Sequence, residues 1–93
     1  MKKIENFTEW QEAVKAEYDK LDACWEYLND AGNDRRKAYY NLYELSTFCV
    51  NARDLVEWID NREGMSHYQS AVLNYHAAET PIAKLRDIAK LEA

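Results

Sequence analysis

Two histidines, two cysteines and a row of carboxylates are the side chains of this sequence that could ligate a metal, attack a substrate or move a proton. His67 and His76 are nine residues apart, which on a helix turning about 100° per residue puts them on opposite sides. They cannot share a metal within one chain, and the acidic residue near His76 is Glu79. Cys24 and Cys49 form no Cys-x-x-Cys pair and stand away from the histidines, so neither a zinc set nor a redox motif results. On antiparallel helices folded about Gly32 they would sit roughly 12 Å apart along the axis, beyond disulfide reach, and both read as small core residues. No HExxH, glycine-rich phosphate loop or nucleophile elbow occurs. With no nucleophile beside a base and no carboxylate pair in a concave setting, the sequence predicts no enzyme, no metal site and no cofactor.

The chemistry that remains is recognition. Glu5, Glu12, Asp19, Glu26 and Asp30 fall within about 60° of one another if one helix carries them all. Glu5 with Glu9, Asp22 with Glu26, and Glu26 with Asp30 are like charges four residues apart, each unfavourable by about a few tenths of a kcal/mol, with Lys15 and Lys20 between them. Such a ridge suits a basic partner, including a nucleic-acid-binding protein that meets carboxylates where phosphates would stand; the plainer alternative is a solvated face. On the second helix Tyr39, Tyr40, Tyr43, Val50 and Trp58 point away from the apolar seam. That stripe could dock on a second copy of the chain or on another protein. The plainer alternative makes Tyr39 and Trp58 flanking core, with Tyr40 and Tyr43 facing solvent. The concentrated basic patch is Asp34-Arg35-Arg36-Lys37, where Arg35 and Arg36 could hold an anion or stack on a base; an ordinary surface patch would look the same.

The elements that must position these residues follow from periodicity. Ala38, Leu42, Leu45, Cys49, Ala52, Val56 and Ile59 alternate steps of four and three residues, the seam of a helix packed along its length. Asn6 with Glu9 and Thr8 with Gln11 are overlapping capping boxes that open the first helix. Its core positions are Val14, Tyr18, Leu21, Trp25 and Leu28, and Gly32 closes it. Asn33 or Asp34 caps the second helix, which keeps one phase to Gly64. Asn51-Ala52-Arg53-Asp54 could restart a helix there, but the unbroken phase favours continuity. Ser66 with Gln69 opens the third, whose rhythm Ala71, Tyr75, Ala78, Ile82, Leu85 and Ala89 runs across Pro81 as a kink or, failing that, a break. Helices over 8–31, 34–63 and 66–92, each roughly 35 to 45 Å long, predict an all-α, elongated, antiparallel three-helix bundle.

Composition agrees with helix. The chain has 93 residues, 47% hydrophobic and 31% charged, with two glycines and one proline. That size predicts a single helical domain over residues 1–93. A net charge of −5 argues against direct nucleic-acid binding, whose footprint is a basic patch. No apolar run long enough for a membrane span occurs, and the acidic start precludes a signal-peptide core, so a cytoplasmic protein is expected. The predicted function is a small acidic protein-binding protein, an inhibitor or adaptor comparable in size, charge and helicity to anti-defence and immunity proteins. No motif stands behind that comparison. The alternatives are a homodimeric or larger assembly module, and a small-anion or nucleotide binder at Arg35 and Arg36.

Overall fold

In the computed structural model, which describes residues 4–92, every regular element is helical and no strand occurs among the described residues. The order is α1 (Phe7–Asp22), a 3₁₀ turn (Trp25–Tyr27), α2 (Asp30–Ser46), α3 (Ala52–Asn61), α4 (His67–Leu73), a second 3₁₀ turn (His76–Ala78) and α5 (Glu79–Leu91). All-α is as predicted; the three-helix bundle is not found, because the first two predicted helices are each interrupted and the third breaks before Pro81 rather than at it.

The first interruption comes before Gly32. Asn6 caps α1 as predicted, its Oδ1 accepting from the Glu9 N–H at 2.8 Å. The helix then ends at Asp22 rather than near Ala31, and Asn29, not Asn33 or Asp34, caps α2 by accepting from the Gly32 N–H at 2.8 Å. Gly32 therefore lies in the first turn of α2. A Cβ there would stand 3.2 Å from Leu28 Cδ2 and Asn29 Oδ1, so the missing side chain permits a close turn. Because the helix stops early, Trp25 and Cys24 are exposed, not core.

The second interruption separates α2 from α3. Ser46 Oγ donates to the Tyr43 carbonyl and Thr47 Oγ1 to the Glu44 carbonyl, both at 2.6 Å, so hydroxyls engage carbonyls of the last turn. Asn51 then restarts the helix, its Oδ1 accepting from the Asp54 N–H at 2.9 Å. Leu42, Leu45, Ala52 and Ile59 of the seam face one core cluster, while Cys49 and Val56 are only partly buried and Leu55, outside the seam, takes a fully buried place in α3. Phase here records a shared core, not a continuous rod.

The third interruption falls at Tyr75, whose backbone is extended (φ −63°, ψ 141°), and not at Pro81. Pro81 sits in the first turn of α5, where its missing N–H costs no intrahelical bond. Ser66 and Gln69 form the predicted capping box.

Side-chain contacts give the arrangement. Gln11 Nε2 donates to the Ser46 carbonyl at 3.0 Å and the Tyr18 and Tyr40 rings lie 5.2 Å apart, so α1 and α2 run antiparallel. Arg86 reaches Asp60 at 2.6 Å and Glu92 reaches Ala52 at 2.8 Å, so α3 and α5 do likewise. Trp10 Nε1 donates to the Pro81 carbonyl at 2.9 Å and joins the two pairs. Ala38 packs on Val72 and Ala78, which seats α4 and the second 3₁₀ turn on α2. The extents, 41 × 35 × 20 Å, describe a slab rather than an elongated rod.

Glu92 also caps α3: its two carboxylate oxygens accept from the Ala52 N–H at 2.8 Å and the Arg53 N–H at 3.2 Å. Glu92→Ala is expected to lose about 1 kcal/mol in urea unfolding, the size of a helix-cap loss. A change within error would mean that water replaces the carboxylate.

Candidate functional site

The predicted recognition residues do not share one surface. Tyr39 is in the core, with Arg35 lying 5.0 Å over its ring, and burial pushes its phenol pKa up. Tyr40 is exposed and tilted against Tyr18, while Tyr43 is half-buried with Lys15 Nζ 5.8 Å from its ring. Both tyrosines therefore pack toward α1. Tyr43 shares a groove of about 400 Å³ with Glu12 and Asp19. Asp19 is bound there by Lys15 at 2.8 Å, an exposed pair that adds little stability.

Glu26 stands on the first 3₁₀ turn and Asp30 at the start of α2, so the acidic residues do not form one helical ridge. Glu5 precedes α1. Asp30 is well placed for its own helix, since a carboxylate in a first turn is favoured by the helix dipole. Arg35 and Arg36 are not in a first turn either. Arg35 Nε meets Glu17 at 3.0 Å and Arg36 meets Asp22 at 3.2 Å, so each guanidinium spans the α1–α2 pair. Asn33 Oδ1 accepts a further bond from Arg36.

Val50 and Trp58 lie elsewhere, at the corner between α2 and α3. The turn that breaks the predicted second helix leaves Phe48 74% and Val50 84% exposed. Trp58, partly buried against the core, stands beside Phe48, its ring centroid 6.3 Å from that of Phe48 with the planes at 78°. Trp58 Nε1 donates to the Glu63 carbonyl at 2.6 Å, which fixes the edge of the indole. The Glu63 carbonyl is placed by the chain reversal after α3, where Arg62 takes a left-handed conformation (φ 55°). Arg62 holds that conformation by donating to the carbonyls of Ile59 and Ser70 and to Asn74 Oδ1.

Phe48 and Trp58 border a hollow of about 390 Å³ that Cys49, Asp54, Glu57 and Glu63 also line. Asp54, Glu57 and Trp58 come from one face of α3, at steps of three and four residues, with Trp58 at its edge, three residues from buried Leu55 and packed against the core. The Cys49 thiol is half-buried, and burial followed by the Asp54 charge pushes its pKa up, so it stays protonated at neutral pH. That leaves it a poor nucleophile. Phe48, Asp54, Glu57 and Glu63 were not singled out in the sequence. The available clue was Asn51 with Asp54, the restart that the continuous seam concealed.

Among the described residues no group of three His, Cys, Asp or Glu side chains could hold a metal ion, and no helix is long and apolar enough to cross a membrane. His67 and His76 are both exposed, and His76 Nδ1 lies 3.2 Å from Glu79. No protein-family model, curated protein or solved structure matches the chain.

Proposed function

We propose that the chain is a protein-binding protein, an inhibitor or adaptor with no catalysis of its own, that docks through the α2–α3 corner. The observation that carries this reading is the exposure of Phe48, beside Trp58, and of Val50 on a turn whose flanking helices are anchored in the core. Aromatic side chains are enriched at interface cores, and tryptophan is among the residues that most often dominate binding energy. The groove of Glu12, Asp19 and Tyr43 is a secondary contact area in this reading, with Tyr40 beside it. A cytoplasmic setting suits two unpaired thiols, one of them exposed.

The partner is a different protein rather than a second copy. Asp54, Glu57 and Glu63 edge the corner, and a two-fold axis through it would set like charges against one another. The anion-binding alternative has less support, because Glu17 and Asp22 occupy Arg35 and Arg36.

A photo-crosslinking amino acid at position 48 tests the proposal, with the same group at exposed position 20 as control. A single heterologous product at 48 is expected, absent at 20 and competed away by the wild-type chain but not by a Phe48→Ser, Val50→Ser variant of unchanged melting temperature. A product made only of two copies of this chain would replace the proposal with self-assembly. Equal capture at both positions would remove the corner as the docking face.

A further inference from the structure

We infer that the hollow between Phe48 and Trp58 receives a cationic side chain, an arginine or a lysine, presented by a basic segment of the partner protein. The inference rests on the docking reading above and names what the corner recognises.

Two features converge on the hollow. The first is a pair of nearly perpendicular aromatic rings, one of them locked through the Trp58 bond to the Glu63 carbonyl. The negative faces of aromatic rings attract ammonium and guanidinium groups, tryptophan most strongly. A fixed indole meets such a group without first losing rotational freedom. The second is charge. Asp54, Glu57 and Glu63 line the same space, and no lysine or arginine does.

Among the described residues, some of the chain's other acidic groups are held in ion pairs, while others, Glu12, Asp34 and Asp87 among them, are not. Asp19, Glu17, Asp22 and Asp60 are paired with Lys15, Arg35, Arg36 and Arg86, respectively. Among the described residues Asp54, Glu57 and Glu63 have no ion-pair partner. Three carboxylates without a partner cation around one hollow give it a negative potential that favours an entering cation.

Their spacing also selects the kind of cation. They do not converge into a group able to hold a metal ion. They surround a hollow of about 390 Å³ instead, within the range of sites for small organic ligands. A long side chain with an apolar stem and a charged tip fits both parts: the methylenes lie on Phe48 and Trp58, and the tip meets the carboxylates. Arginine can satisfy a carboxylate with two parallel bonds while its plane stacks on the indole. Lysine can do the second half of this as a point charge over the ring.

The test is an NMR titration of the full chain with two short blocked peptides, one of alternating arginine and glycine and one with citrulline replacing each arginine. Citrulline keeps the shape of the side chain and removes its charge. The Trp58 indole N–H is followed and assigned against Trp10 and Trp25 by substitution. The arginine peptide is expected to move the Trp58 signal and leave that of buried Trp10 in place. Affinity is expected to fall by about tenfold or more with citrulline, and comparably in an Asp54→Asn, Glu57→Gln variant whose melting temperature is unchanged. Equal response to citrulline would overturn the inference while leaving an apolar docking corner intact. Arginine binding that survives Asp54→Asn, Glu57→Gln would overturn it by placing the cation elsewhere. The docking reading stands or falls separately, on crosslinking at position 48.

Discussion

Trp10→Ala is expected to lose about 4 kcal/mol of folding stability, the typical cost of deleting a large buried aromatic side chain. Domains of ordinary stability have about 5–15 kcal/mol in total, and one this short belongs near the bottom of that range. The variant should therefore be largely unfolded at 37 °C by circular dichroism. Trp10 is 1% exposed and stacks on Phe7 at 6.0 Å. It also spans the fold, since its indole N–H reaches from α1 to the Pro81 carbonyl of α5. Trp10→Phe separates the two contributions. It keeps most of the apolar area and leaves the Pro81 carbonyl without its donor, for an expected loss of about 1–3 kcal/mol. A Trp10→Ala loss below about 1 kcal/mol would show that the two helical pairs do not depend on this contact.

The seam illustrates what the sequence carried well. Apolar periodicity reports which residues face a core, and Ala38, Leu42, Leu45, Ala52 and Ile59 are buried as the seam required, with Cys49 and Val56 partly so. Side-chain caps are local chemistry, and Asn6 and Ser66 act as read. Chain breaks were another matter. A helix that stops, turns and restarts against the same core keeps its rhythm, so the α2–α3 turn left no phase error to detect. The first helix was overextended for a related reason: Trp25 and Leu28 fit the pattern, yet the chain leaves α1 at Asp22, and Trp25 ends exposed.

The candidate site was half legible on the same grounds. Val50 and Trp58 stood out because they lay off the seam. Phe48 did not, since in a continuous helix it would sit about 200° round the axis from Val50. Only the turn exposes both. Asp54 and Glu57 resembled any exposed acids until the structure set them around an aromatic hollow that no lysine or arginine lines. Tyr39 took the plainer of its two readings and is core. The acidic ridge was drawn on a helix that does not extend to Glu26, so it had no single surface to occupy.

Leu55→Ala should be the second largest effect, and it connects the core to the corner. Leu55 is fully buried in α3, about 100° round the helix from exposed Asp54 and on the flank next to Trp58. Removing its side chain leaves a cavity where α3 packs on the core, for an expected loss of about 3 kcal/mol. Asp54→Asn, one residue away and exposed, is expected to change stability by no more than about 0.5 kcal/mol. The two substitutions therefore separate support from contact. At a temperature where both variants remain folded, Asp54→Asn should weaken capture by the corner with the fold untouched. Leu55→Ala should weaken it only as far as α3 loosens from the core, and the loss should diminish on cooling toward the temperature of greatest stability. Equal, temperature-independent losses in both would mean that Leu55 shapes the docking surface directly, and that the rigidity of α3 is not what holds Trp58 against Phe48.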